Sequence, residues 1–108
     1  MSYKIEATDY FEKQLKRLAK KFPSLKQEFS NLLKELEQNP ELGKPIGSHC
    51  YKIRLSIASK GKGKSGGARV ITHIQVIKTK VYLLSIYDKS EQSDITDNDL
   101  KSMITHIQ

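Results

Sequence analysis

Phe11, Leu15, Leu18 and Phe22 recur at i, i+4, i+7 and i+11, the spacing of one face of an α-helix. Thr8 stands ahead of them as a candidate N-cap, and Pro23 ends the run. The period resumes at Leu25, Phe29, Leu32, Leu33 and Leu36, behind a Ser24/Gln27 pair with capping-box spacing, and stops at Asn39-Pro40. Two antiparallel helices are therefore expected, preceded by a short strand from Tyr3 to Ala7.

Past Gly43, Pro45 and Gly47, which mark a loop, the period changes to two. Tyr51, Ile53, Leu55 and Ile57 fall on one side of a strand, and Lys52, Arg54 and Ser56 on the other. Ser59 to Gly67 is rich in glycine, lysine and serine and reads as a loop before a second strand, Ala68 to Ile77. Thr79, between two lysines, makes the turn into a third, Val81 to Asp88, whose apolar residues fill both faces and place it centrally. Thr96 caps a last helix through Asp99 to Ile107, with Leu100, Met103, Ile104 and Ile107 inward. The predicted fold is a small α+β domain of order βααβββα, a mainly antiparallel twisted sheet with its helices packed on one face.

A length of 108 residues fits a single domain, residues 1–108, which buries roughly two thirds of its unfolded surface and needs no staple. Neither a signal-peptide pattern nor a membrane-length apolar run is present, which points to the cytoplasm and to no membrane partner. Cys50 is alone, so no internal disulfide forms, and a small half-buried residue at the start of a strand is the expectation for it.

Net charge changes the picture once it is located. Of the formal +7, nine basic residues and no acid lie between Leu42 and Tyr87, while the remainder carries ten basic against twelve acidic. A field of one sign over one stretch of a small domain attracts polyanions, and nucleic acid is the commonest in the cytosol. An acidic protein partner would be drawn to it as well.

Ala58-Ser-Lys-Gly-Lys-Gly-Lys-Ser65 nearly spells a phosphate-binding P-loop, but it leads into a β-branched strand and not into a helix whose amides would hold the phosphates. Gly63-Lys-Ser-Gly66 matches the GxxG of a KH module, yet joins two strands instead of two helices. A cation-rich loop remains, in which Lys60, Lys62 and Lys64 are candidate RNA-binding residues, against the plain reading of a soluble surface loop. His49, His73 and His106 lack metal-site spacing, so neither metal nor cofactor is expected; His73, on the side of Arg69 and Ile71, is an acid–base candidate or simply a packed histidine.

Cys50-Tyr-Lys-Ile-Arg-Leu55, the basic loop, Gly67-Ala-Arg-Val-Ile71 and Val81-Tyr-Leu-Leu-Ser-Ile-Tyr-Asp-Lys-Ser90 together resemble the RelE family of toxins, and the subgroup of RelE- and HigB-like chains with a long Lys/Gly loop. The resemblance runs over nearly the whole chain. It implies a type II toxin–antitoxin toxin that cleaves messenger RNA on the ribosome without metal, by attack of a ribose 2′-oxygen on the adjacent phosphorus, leaving a 2′,3′-cyclic phosphate.

Carried over by that resemblance, Lys52 is the candidate general base, its pKa lowered by Arg54 and other nearby cations. Arg54 holds the backbone phosphate and Arg69 stabilises the transition-state charge. Lys89 stands where the family has a further arginine, and Ile95 stands near the place of its late tyrosine, for which Tyr87 is the substitute. Implied partners are a cognate antitoxin, the ribosome and its messenger RNA, with operator DNA reached only through the toxin–antitoxin complex. Two other readings use the same residues: a ParE-type inhibitor of DNA gyrase, and a nucleic-acid-binding module without catalysis.

Overall fold

The computed structural model describes residues 3–60 and 67–107. Strand β1 (Lys4–Ala7) leads into helix α1 (Asp9–Lys21). The Thr8 hydroxyl accepts the Phe11 N–H at 3.1 Å, which caps the helix, and donates to the Leu83 carbonyl, which ties the helix start to the sheet. Acids in the first turn and lysines in the last suit the helix dipole.

Helix α2 (Leu25–Gln38) begins differently from expectation. The Ser24/Gln27 capping box does not form: Ser24 has helical dihedrals and its hydroxyl binds Glu28 at 3.1 Å and Ser59 at 2.8 Å. Glu28 also accepts the Ala58 N–H at 2.7 Å. The start of α2 is thus fastened to the 3-10 turn Ala58–Lys60 at the end of the first basic strand, and the serine serves that joint instead of its own helix.

The segment read as a loop carries a further strand, β2 (Lys44–Gly47), followed by β3 (Cys50–Leu55), β4 (Ala68–Gln75) and β5 (Lys80–Asp88). Pro45 is compatible with β2 because the strand lies at the sheet edge, where a missing N–H costs no ladder bond. Sheet order is β1-β5-β4-β3-β2, antiparallel throughout except for the parallel pairing of β1 with β5. A register shift in the β4–β5 pairing leaves Ile71 opposite Ser85 and Thr72 opposite Leu83, so Leu84 is the extra residue of a bulge.

Helix α3 (Asp97–Ile107) closes the chain, its first turn capped by the Thr96 hydroxyl on the Asp99 N–H. Ile53, Leu55, Val70, Leu83 and Ile86 pack with Phe11, Leu18, Leu25, Leu32 and Leu36 under α1 and α2. Cys50, Ile71, Tyr82, Leu84 and Tyr87 form a second cluster with Leu100 of α3. Neighbouring strand residues point to opposite faces, so the two clusters lie on opposite sides of the sheet. The α+β class and the antiparallel majority are as the sequence indicates, with one correction: α1 and α2 share a face, and α3 covers part of the other. This is why β5 is apolar on both faces. Among the described residues, no helix is long and apolar enough to cross a membrane.

Candidate functional site

The face not covered by α1 and α2 is only partly covered by α3, and the basic side chains of the central strands emerge beside it. On β3, Ile53 and Leu55 turn toward the two large helices, which turns Lys52 and Arg54 the other way. Arg69 of β4 is paired in register with Arg54 on one side and Tyr87 of β5 on the other. Lys44 of the edge strand is opposite Lys52, and Lys89 follows directly on β5.

Gly43, Lys44, Lys52, Arg54, Arg69 and Lys89 line a cleft of about 380 Å³. Gly43 is required there by geometry. Its φ is +103°, and a Cβ would meet the Lys52 carbonyl oxygen at 2.7 Å and an Ile53 side-chain carbon at 2.8 Å, so the chain before β2 lies directly on β3.

Arg54 is exposed, whereas Arg69 is only 6% exposed and donates from Nη1 to the Ala68 carbonyl at 3.2 Å. That burial sets one guanidinium in the cleft wall while its neighbour faces solvent. The Lys89 ammonium donates to the Ser93 carbonyl at 2.6 Å and so holds the chain after β5 in a turn. That turn carries an acid onto the basic face: Asp94 Oδ1 accepts from Lys52 Nζ at 3.2 Å. The Ile95 N–H and then Lys52 hold the Asp94 carboxyl below its usual pKa.

Tyr87 is 3% exposed and lies in the second apolar cluster. Its hydroxyl is enclosed and makes no hydrogen bond of full geometry, although the Asp94 carboxylate is near enough to act on it. Burial first, and Asp94 next, push its pKa up against the opposing influence of Arg69, so the phenol is a proton donor and not a phenolate.

The other candidates fall elsewhere. Lys60 ends the 3-10 turn, and Lys62 and Lys64, with most of the P-loop-like and GxxG stretches, lie outside the described residues. His73 is buried opposite Cys50, its Nδ1 3.4 Å from the thiol sulfur, and is not among the residues lining the cleft. Burial lowers the His73 pKa and pushes the Cys50 thiol up to about 12, which leaves both neutral at pH 7. Cys50 is fully buried where the sequence suggested half burial. A larger concavity of about 820 Å³ between β1, β5 and α3 is bordered by Glu6, Asp9, Asp94 and Asp99. Its sign is wrong for a polyanion, so size does not make it the site.

Sequence reasoning missed Asp94. The only signal was negative: the basic stretch ends at Tyr87, acids return at once, and nothing in spacing says which of them folds back over a lysine 42 residues away.

Taken together, the residues define a small α+β protein with an open five-stranded sheet, two helices on one face and a cation-lined cleft on the other. A family model described as "RelE toxin of RelE / RelB toxin-antitoxin system" matches residues 8–106, and the chain belongs to this family of toxins. Among solved structures, the chain is similar to an arginine-to-alanine double mutant of the E. coli toxin RelE in the free state, at 19% identity and a TM-score of 0.66, with 100% of each chain covered. It is also similar to a chain of the intact E. coli RelBE toxin–antitoxin complex, at 21% identity and a TM-score of 0.60, covering 78% of this chain and 93% of that one. A third likeness is to E. coli RelE bound to a peptide of its antitoxin, at 17% identity and a TM-score of 0.60, with 94% and 93% covered. At these identities the likeness is one of fold.

Proposed function

We propose that this toxin is a messenger-RNA endoribonuclease that acts on the ribosome and thereby stops translation. The observation that carries the reading is the gathering of Lys52, Arg54, Arg69 and Lys89 around one cleft from three separate stretches of chain. A phosphodiester entering it meets the exposed planar fork of Arg54, able to hold two oxygens, and the positive charge of Arg69 held in the wall. The pentacovalent transition state carries more negative charge than the substrate, so fixed cations stabilise it preferentially.

In the reaction, a ribose 2′-oxygen forms a bond to phosphorus, the P–O5′ bond breaks, and a 2′,3′-cyclic phosphate remains on the upstream fragment. Lys52 is the proposed acceptor of the 2′-hydroxyl proton, which requires its ion pair with Asp94 to open and its own proton to leave first. Arg69, held in the wall, faces the phosphate oxygens, and Arg54 and Lys89 hold the flanking backbone. The departing 5′-oxygen needs a proton, which the protonated Tyr87 is chemically suited to give if the ribosome-bound substrate opens a path to its enclosed hydroxyl.

A cognate antitoxin is the expected protein partner, since the similar E. coli toxin is seen both in an intact complex with its antitoxin and with an antitoxin peptide. Operator DNA would be met through that complex, and the site of action is the cytoplasm. Primer extension on a translated message after induction of the toxin tests the reading: new 5′ ends that disappear when the start codon is removed are expected. Growth arrest with intact messages overturns it and directs attention to gyrase supercoiling.

A further inference from the structure

We propose that Asp94, beside the cleft, is an internal anion that occupies Lys52 until a backbone phosphate replaces it. The inference rests on the nuclease reading only in taking the ligand to be a phosphodiester chain.

Contacts within the turn set the carboxylate in place. Lys89 Nζ binds the Ser93 carbonyl at 2.6 Å, Gln92 Nε2 binds the Asp94 carbonyl at 3.0 Å, and the Ile95 N–H binds Asp94 Oδ1 at 2.8 Å. The same Oδ1 then receives Lys52 Nζ at 3.2 Å. A carboxylate oxygen so held presents to Lys52 the charge and acceptor geometry of a phosphate oxygen. The Asp94 side chain is 60% exposed and Lys52 23%, so the acid is reached from solvent and leaves at modest cost. An ion pair this open holds weakly, and a ligand that engages Arg54 at the same time as Lys52 displaces it. A small monoanion has no second point of attachment and gains little by displacing it. Asp94 therefore keeps the basic face from binding any passing anion and favours a chain of phosphates.

The test is a double-mutant cycle on binding. A short 2′-O-methyl oligonucleotide, which lacks the attacking hydroxyl, is titrated by fluorescence anisotropy at fixed low salt into wild type, Asp94→Asn, Lys52→Ala, the Lys52→Ala/Asp94→Asn double variant and Glu91→Gln. Asparagine retains an oxygen for the Ile95 N–H, so the turn survives. Glu91 faces Arg17 and Lys21 and controls for net charge alone. Asp94→Asn is expected to tighten binding by about fivefold in the wild-type background. With Lys52→Ala present, the gain falls to that of Glu91→Gln. Equal gains in both backgrounds, a gain from Glu91→Gln as large as that from Asp94→Asn, weaker binding by Asp94→Asn, or no binding by any variant each overturn the proposal. Binding is read without cleavage, so the expected cycle together with uncut messages sinks the nuclease reading and leaves the role of Asp94 standing.

Discussion

The two faces of one sheet are organised by different physics. Under α1 and α2, Phe11, Leu18, Leu25 and Leu36 are closed off from water and meet Val70, Leu83 and Ile86; nothing there depends on charge. Across the sheet, α3 contributes one buried side chain, Leu100, and beside it the surface turns into a cleft of cations with one acid laid over it. The first face carries stability at about 1.5–3 kcal/mol per large side chain buried. The second is placed by the first: β3 holds Lys52 and Arg54 outward because Ile53 and Leu55 are anchored inward.

Substitutions on the two faces should therefore separate stability from activity. Phe11→Ala empties a fully buried position and is expected to cost about 3–5 kcal/mol, read as a fall in the denaturant midpoint. Arg69→Ala is expected to lower single-turnover cleavage by on the order of a hundredfold while shifting that midpoint far less. An equal fall in stability would mean that the buried arginine is a structural residue.

Gly43→Ala sharpens the comparison at the boundary between the faces. With no room for a Cβ against the Lys52 carbonyl, the strain falls on the backbone that carries the cleft, so activity should drop more than for alanine at Gly47, the exposed last residue of β2, which shares the positive φ but has nothing within 4 Å.

Smaller still is a pH effect. Cys50 ionises in the unfolded chain near 9.0 but in the folded one only at about 12, so the folded state binds more protons between these values and stability falls as pH rises through that window. The rise at Tyr87 acts in the same direction at high pH. Cys50→Ala should flatten the slope of the unfolding free energy between pH 9 and 11. Native Cys50 should also react with a thiol reagent at pH 8 only at the rate of unfolding.

Much of this was legible from residue order. The helical spacing of Phe11 to Phe22, the alternation of Tyr51 to Ile57 and the two-faced apolar run of β5 follow from burial, which is periodic and local. Lys52, Arg54 and Arg69 could be put on neighbouring strands for the same reason. What burial does not set was not legible: β2 is short and pairs at an edge with proline and glycine in it, and Ser24 spends its hydroxyl on Glu28 and Ser59 instead of on a cap. The face chosen by α3 and the reach of Asp94 to Lys52 depend on how a turn of a few residues closes after β5, which period alone does not encode.

Cleavage of the message by the cleft cations is tested most directly by single-turnover cutting of ribosome-bound messenger RNA by wild type and by Lys52→Ala/Arg69→Ala, after matched unfolding curves have shown both to be folded. Loss of cutting in the variant, with wild-type fragments ending in a 2′,3′-cyclic phosphate, is the predicted result. Equal cutting by the two proteins, or no cutting by wild type on translating ribosomes, would contradict the account.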